Sequence, residues 1–238
     1  MNLLVLAVVT AAVPWSKSQQ LVVVVPDDWD ANVATLTRWE REGPAKWRPV
    51  GQAVQVTIGS KGSAWGLGLH PPQKDGPQKQ EGDSRSPAGV FEIGDGFGYG
   101  EKAATKLHYL PMTKDNWCVD VPASKLYNRI VDAKAVGDAG ISGSTEPMRR
   151  DLILDDDAYR VGFVVQHNPK GTPNAGSCIF VHQQREAGRP TAGCTALPAA
   201  ELDALFAWLD AAKKPAFVLL PRPQYDGLRK AWSLPALP

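Results

Sequence analysis

The chain has 238 residues, which is long enough for a domain with a full hydrophobic core. Hydrophobic residues make up 43% of it and charged residues 21%, the proportions of an ordinary soluble globular protein. The formal net charge of +1 gives no bulk attraction to nucleic acid or to an anionic membrane surface, so neither is an expected partner.

An apolar run occupies residues 3–13 and is interrupted only by Thr10. The run is too short to span a membrane, and its position suits the apolar core of a signal peptide. Ser16 and Ser18 are small residues at the spacing that signal peptidase accepts. We therefore predict a signal peptide over residues 1–18, no membrane span, and export to the periplasm or cell envelope. The alternative is a buried first strand.

The segment that follows predicts a strand and then a helix. Residues 21–25 are apolar and predict the opening strand of the mature domain. Asp27 or Asp28 can cap a helix over residues 27–42. Four apolar residues fall on one face of that helix, and they are Trp29, Val33, Leu36 and Trp39. This stripe predicts that the helix packs against a sheet.

Several short strands are predicted downstream. Residues 47–50 and 54–58 predict a hairpin, with alternate residues of the second arm pointing inward. Residues 61–70 are rich in glycine, but they lack the lysine spacing of a phosphate loop. Residues 89–93 and 160–167 predict two more strands, and the second places His167 at the end of a row facing the core.

The C-terminal part predicts a helix, a closing strand and a short final helix. The helix covers residues 198–213 and carries an apolar stripe. The strand covers residues 216–220, and the final helix covers residues 225–232. Neither an internal repeat nor a change of composition divides the chain, so we predict a single domain over residues 19–238.

Residues 176–197 hold two groups suited to nucleophilic chemistry, His182 and Cys194. An apolar, β-branched run that ends at His182 predicts a buried strand, and the polar residues 183–190 predict a surface loop. Small residues then lead into Cys194. A strand followed by a returning loop can bring the imidazole and the sulfur together.

Such a pair has a defined chemistry. An imidazole next to a thiol produces the thiolate that attacks a carbonyl carbon. Gly193 lets the backbone come close to a substrate, and the amides around Cys194 can donate to an oxyanion. The alternative is that Cys194 is a small buried hydrophobe and His182 a hydrogen-bonded polar group. A zinc site from Cys178, His182 and Cys194 is a weaker hypothesis, because no CxxC or HxxxH spacing is present.

An ordered set of motifs resembles the L,D-transpeptidase (YkuD/ErfK) family. The T-A-G-C sequence at residues 191–194, with His182 upstream, resembles the family's [Ser/Thr]-x-Gly-Cys motif. The G-S-C-I-F-V-H strand at residues 176–182 is similar to that of one branch of the family. Earlier segments also look like family elements: E-G-D at 81–83, S-P-A-G-V-F at 86–91, W-C-V-D at 117–120 and Y-N at 127–128.

The resemblance implies a mainly β fold, a mixed β-sandwich or barrel with two or three peripheral helices. It implies that Cys194 attacks the third residue of a peptidoglycan stem peptide and expels the terminal D-alanine. An amine of a second stem, or water, then releases the thioester. His182 acts as the base, Gly193 contributes to the oxyanion site, and no metal or organic cofactor is needed. The candidate substrate contacts are His167, Thr191, Asp120, Tyr127 and Asn128, and the alternative for His167 is a satisfied core histidine.

The sequence leaves two other functions possible, and it offers a second cysteine near His182. Release by water would make the protein an L,D-carboxypeptidase, and loss of reactivity would leave a module that only binds the cell wall. The expected protein is a monomer whose partners are peptidoglycan stem peptides. Cys178 on the predicted strand would share a face with His182 but lie about 13 Å along it, so Cys194 is the predicted nucleophile. Three cysteines allow at most one intramolecular disulfide, and Cys118 with Cys178 is one possible pair.

Overall fold

The computed structural model describes residues 13–43 and 46–237. Within them the chain forms thirteen β-strands: β1 (Gln20–Pro26), β2 (Val33–Glu40), β3 (Arg48–Thr57), β4 (Ser63–Trp65), β5 (Ser86–Gly98), β6 (Tyr109–Pro111), β7 (Asn116–Cys118), β8 (Ile130–Asp132), β9 (Glu146–Pro147), β10 (Val161–Val165), β11 (Phe180–Gln183), β12 (Thr195–Leu197) and β13 (Ala216–Leu219). The predicted mainly β fold is confirmed.

The same residues form five α-helices and one 3₁₀ turn: α1 (Ala133–Val136), α2 (Asp138–Ile141), α3 (Arg150–Ile153), α4 (Ala199–Trp208), the turn Ala211–Lys213, and α5 (Arg222–Leu228). Only α4 and α5 are longer than four residues. They fall within or next to the helices predicted near the C-terminus. None of the helices among the described residues is long and apolar enough to cross a membrane.

Eight strands close into a barrel. Their order is β10, β11, β12, β3, β2, β1, β13 and β5, and β5 pairs back onto β10 to complete the ring. β4 and β6 add in parallel to the two ends of β5. Closure leaves the ring itself without an open sheet edge, which removes a site of unwanted strand pairing.

β1 is the most deeply buried strand, and all seven of its residues are buried. It pairs antiparallel with β2 and parallel with β13, so it has a neighbour on each side. A strand in that position is expected to be apolar throughout rather than alternating, which explains the Val-rich sequence. Together with Phe91 and Phe217 it forms part of the main core.

A second, smaller sheet lies outside the barrel, and its strand order is β8, β7 and β9. A disulfide links Cys118 at the end of β7 to Cys178, with a Cα–Cα distance of 5.9 Å. This is the pairing that the sequence left as one possibility. A second apolar cluster containing Met148, Tyr159 and Phe180 surrounds the bridge. The small sheet is thereby fixed to the segment that leads into β11.

The helix predicted over residues 27–42 is wrong, because that segment contains β2. The buried side chains of β2 are Ala34, Leu36 and Trp39, and the pairing with β3 shifts register between Leu36 and Arg38. The irregularity lies on β3, because β2 pairs with β1 residue for residue, and Leu36 and Trp39 are both buried although they lie three apart instead of two. This spacing imitates one turn of a helix.

The hairpin predicted over residues 47–58 is also wrong, because both halves belong to the single strand β3. Val50 pairs with Arg38 and Val54 pairs with Leu36, so three residues of β3 between these pairs stand opposite a single residue of β2, Thr37. Gly51 supplies the left-handed backbone of this irregularity, with φ of 69°. The glycine marks a bend in one strand and not a turn between two.

Candidate active site

His182 and Cys194 are carried by two neighbouring parallel strands. In the register of β11 and β12, His182 pairs with Ala196. Cys194 precedes Ala196 by two residues, and side chains two apart on an extended chain point to the same face. Both side chains line one cavity of about 170 Å³. The structure therefore brings together the two residues that the sequence selected as nucleophile and base.

The Cys194 sulfur is held by backbone groups of the segment before β11. The amide of Phe180 donates to Sγ at 3.3 Å, and the thiol donates to the carbonyl oxygen of Cys178 at 3.5 Å. Burial raises the pKa of the Cys194 thiol to about 12, and the charge of Glu146 adds to the rise. The thiol is therefore protonated in the free protein at neutral pH.

The His182 ring is fixed by its own strand. Its Nδ1 lies 2.8 Å from the carbonyl oxygen of Gln183, and because a carbonyl only accepts, Nδ1 carries the proton. Nε2 of the neutral ring then has the free lone pair. The ring packs edge-on against Tyr159, with centroids 5.3 Å apart. Burial lowers the pKa of His182 to about 4, so the ring is neutral and able to take a proton.

The turn that delivers Cys194 is closed by hydroxyl groups. Thr191 Oγ1 donates to the Cys194 carbonyl oxygen at 2.6 Å, and Ser86 Oγ donates to the same oxygen at 3.1 Å. Gly193 has φ of 156°, and a Cβ at this position would lie 3.1 Å from the Arg85 carbonyl oxygen. A side chain is therefore disfavoured at residue 193 by both backbone conformation and space.

The oxyanion role predicted for the Gly193 amide does not agree with this geometry. The Gly193 amide donates to Thr191 Oγ1 at 3.1 Å, so it closes the turn instead of facing the cavity. Gly193 contributes here through its conformation and its lack of a side chain.

A charged network, called here the charged wall, adjoins the cavity through Glu146, Tyr159 and Arg185. Glu146 Oε1 accepts from Arg150 at 2.7 Å and from the Tyr159 hydroxyl at 2.8 Å. Arg150 is 5% exposed and also binds Asp156 at 2.7 Å. Asp156 in turn binds Arg185 at 3.3 Å. The negative charges of two carboxylates thus balance the positive charges of two guanidinium groups near the sulfur.

A comparison with protein families identifies the chain. The model of the YkuD family, the L,D-transpeptidase catalytic domain, matches residues 19–218. The chain belongs to this family. The closed barrel is consistent with the YkuD fold, and the predicted resemblance is confirmed. No significant match was found among curated proteins or solved structures.

The sequence missed most of the charged wall of this L,D-transpeptidase domain. The ion pair between Arg150 and Asp156 joins two charged segments that lie close together in the sequence, residues 149–150 and 155–157. Glu146 and Tyr159 had no such signal, because each is a single residue far along the chain from the Gly-Cys motif. Only the disulfide-anchored small sheet brings Glu146 to the cavity.

The predicted substrate contacts divide into two groups. Thr191 lines the cavity with the two central residues. Four others are not among the residues that line it, and each has protein partners instead: His167, Asp120, Tyr127 and Asn128. Their substrate roles remain predictions that this cavity does not support.

Those four residues form hydrogen bonds that join the loops around the site. Asn128 donates to the carbonyl oxygens of His167 and Asn168 and accepts from the Cys178 amide at 2.8 Å. Tyr127 donates to Glu81, and Asp120 accepts from Thr145.

His167 accepts from the Leu67 amide at 3.2 Å and donates to the Ala175 carbonyl oxygen at 2.8 Å. Both of its ring nitrogens are used by the backbone. This agrees with the alternative reading of His167 as a satisfied core histidine.

Proposed function

We propose that this protein is a peptidoglycan L,D-transpeptidase in which Cys194 is the nucleophile and His182 the base. The observation that carries the proposal is the shared cavity of the two side chains, with Nδ1 of His182 tied to the Gln183 carbonyl oxygen. That bond leaves Nε2 as the proton acceptor. Membership of the family supplies the reaction class.

The first half of the proposed reaction forms a thioester. His182 Nε2 takes the proton of the Cys194 thiol as Sγ attacks the carbonyl carbon of the third stem residue. The bond to the terminal D-alanine breaks, and His182 returns its proton to the departing amine. Because both groups are neutral in the free protein, the proton moves during the attack and not before it.

The second half releases the acyl group. An amine of a second stem attacks the thioester carbonyl, His182 takes its proton, and the sulfur leaves as the C–S bond breaks. Water in place of the amine gives the L,D-carboxypeptidase reaction. We expect the reaction in the periplasm or cell envelope, where the polymer is found.

Incubation with a tetrapeptide stem and an amine acceptor tests the proposal by mass spectrometry. We expect loss of D-alanine, a thioester adduct on Cys194, and a cross-linked product. Cys194→Ala should form no adduct. A product formed only by hydrolysis would identify a carboxypeptidase, and binding to peptidoglycan with no adduct would identify a non-catalytic module.

A further inference from the structure

Ser86 does not line the cavity of Cys194, yet its hydroxyl group contacts the residue that carries the sulfur. It is the first residue of β5 and is 1% exposed. Its Oγ donates to the Cys194 carbonyl oxygen at 3.1 Å, although the two residues lie 108 positions apart in the sequence. The proposed reaction gives Ser86 no role, so the purpose of this buried contact is open.

The direction of the Ser86 hydroxyl is fixed by a second partner. The backbone amide of Gly59 donates to Ser86 Oγ at 2.9 Å. Because an amide N–H only donates, Oγ is the acceptor of that bond, and its own hydrogen is left for the Cys194 carbonyl oxygen. A hydroxyl that accepts one hydrogen bond donates the next one more strongly, because the two bonds polarise each other.

The segment that supplies the Gly59 amide packs tightly against the start of β5. A Cβ at residue 59 would lie 2.5 Å from the Ser84 carbonyl oxygen and 2.7 Å from the Ser86 amide nitrogen. Contacts this short exclude a side chain, so only glycine lets the two backbones approach so closely. The Ser86 hydroxyl is therefore held by a close-packed backbone contact as well as by its hydrogen bond.

The turn at residues 191–194 is held by the barrel at both of its ends. At the first end, the Thr191 amide donates to the Ile58 carbonyl oxygen at 2.9 Å, and the Thr191 carbonyl oxygen accepts from Ser60 at 2.8 Å. At the last end, Thr191 Oγ1 and Ser86 Oγ both donate to the same carbonyl oxygen. Thr191 belongs to the turn itself, so the anchor of this end to the barrel is Ser86.

We propose that Ser86 is a positioning residue, whose hydroxyl fixes the Cys194 carbonyl group and thereby the place of the attacking sulfur. The inference rests on the proposed function, because it takes Cys194 as the nucleophile. The carbonyl carbon and Cβ of Cys194 are bonded to the same Cα, so a carbonyl that turns carries the sulfur with it. A shift of about 1 Å at a reacting group can cost about 10²-fold in rate.

The test compares Ser86→Ala with Ser63→Ala. Ser63 pairs with Ser86 in the register of β4 and β5, it is 0% exposed, and its Oγ has no hydrogen-bond partner within the described part of the chain. Ser63→Ala therefore removes a buried hydroxyl without removing a hydrogen bond. Thioester formation on a tetrapeptide stem is followed by mass spectrometry over a range of stem concentrations.

The expected effect lies in the maximal rate of thioester formation. Ser86→Ala should lower the rate at saturating stem peptide by about 10–100-fold. The half-saturating concentration should stay near the wild-type value, because Ser86 does not line the cavity. Ser63→Ala should keep both values. Ser86→Thr, which retains the hydroxyl, should recover most of the rate.

A destabilised control separates positioning from stability. Ser86→Ala also leaves the buried Gly59 amide without its partner, so its melting temperature should fall. Val23→Ala removes buried methyl groups from β1, which lies three strands from β12 around the barrel. Its melting temperature should fall too, but the folded protein should form the thioester at the wild-type rate.

Two results would overturn the inference. One is a folded Ser86→Ala protein that keeps the wild-type maximal rate, and the other is a loss seen only as a higher half-saturating concentration. If Ser86→Ala does not fold, Ser86→Cys replaces the hydroxyl by a weak donor, and a wild-type rate in that protein would count equally against the inference. Absence of any thioester on wild-type Cys194 would instead overturn the proposed function, and this inference with it.

Discussion

At the scale of single residues, the Cys194 thiol is shielded by the backbone around it. Burial raises its pKa to about 12, whereas a free pair of imidazole and thiol would suggest an acidic thiolate. We predict that iodoacetamide labels Cys194 slowly at mildly acidic pH and faster as the pH rises. Peptide mass mapping without reductant should find the label on Cys194 and not on the bridged Cys118 or Cys178. A labelling rate that peaks below pH 6 would contradict this prediction.

His182 and His167, which are both buried, should respond differently to substitution. His182→Ala removes the base and should lower the rate of thioester formation by about 10²–10⁴-fold. His167→Ala removes two hydrogen bonds to the backbone, so it should lower the melting temperature more than the rate of the folded fraction. The measurements are acylation rate and thermal unfolding of each variant. A larger rate loss in folded His167→Ala would show that the base was assigned wrongly.

The sequence was enough to select the proposed nucleophile and base, because Cys194 and His182 lie twelve residues apart in one stretch of recognisable chemistry. It could not locate Glu146, whose contact with the cavity depends on tertiary packing of a separate sheet. It also could not show that the Gly193 amide is used by Thr191, because a hydroxyl rotamer is set only in the folded turn. Local chemistry is readable from sequence, and long-range positioning is not.

At the scale of elements, buried and regular strands were predicted well and irregular ones were not. β1 and β13 were predicted almost to their ends, because both are short apolar runs. β2 and β3 were mistaken for a helix and a hairpin, because a register shift between them disturbs the alternation of inward residues. A bulge depends on the partner strand, so neither strand alone reveals it.

Among the contacts between structural elements, the disulfide connects the small sheet to the candidate active site. It joins residues 60 positions apart, and closing a loop of that length lowers the entropy of the unfolded chain, a stabilisation of about 4 kcal/mol. We predict that replacing both Cys118 and Cys178 by serine lowers the free energy of unfolding by about 2–4 kcal/mol. Urea denaturation followed by tryptophan fluorescence measures this change.

The variant that lacks both Cys118 and Cys178 should also form the thioester more slowly. The Cys178 carbonyl oxygen accepts from the Cys194 thiol, and Phe180 follows two residues later. Loss of the bridge loosens both contacts, so thioester formation should fall even under conditions where the variant is folded. Wild-type rates in the folded double variant would limit the bridge to a role in stability.

At the scale of the whole molecule, buried neutral histidines make the fold sensitive to acid. Burial lowers the pKa of both His167 and His182 to about 4, whereas an unfolded histidine titrates near 6.5. The unfolded chain therefore binds protons first as the pH falls, and stability is lost between about pH 6.5 and pH 4. The loss is about 3 kcal/mol for each ring.

Denaturation at a series of pH values tests this sensitivity. His167→Gln should be less stable than the wild type at pH 7, because two backbone hydrogen bonds are disturbed. Its stability should fall less steeply between pH 6.5 and pH 4, because one of the buried rings that take up a proton on unfolding is gone. Parallel curves for the two proteins over that range would contradict the prediction.

The packing of the N-terminal segment bears on the predicted export. Most of the apolar run at residues 3–13 lies outside the described residues, and the predicted boundary after residue 18 would remove residues 13–18. Trp15, however, is 2% exposed, and its indole donates to the Trp232 carbonyl oxygen at 2.9 Å. We therefore expect cleavage of the exported protein before Val13, which keeps Trp15 in the core. N-terminal sequencing of the secreted protein checks this, and a start at Gln19 would contradict it.

The connection between β11 and β12 is held at both ends by hydrogen bonds to neighbouring strands and loops. Gln184 donates its amide to Leu197, and on the far side the carbonyl oxygen of Arg189 accepts from Thr57 while the Thr191 amide donates to Ile58. Residues 185–188 therefore lie between two sets of hydrogen bonds, and neither set involves the His182 ring or the Cys194 sulfur. We therefore expect residues 185–188 to tolerate substitution without loss of the fold. We expect substitutions there to change the charge of the cavity that Arg185 lines, while His182 and Cys194 keep their positions in the barrel.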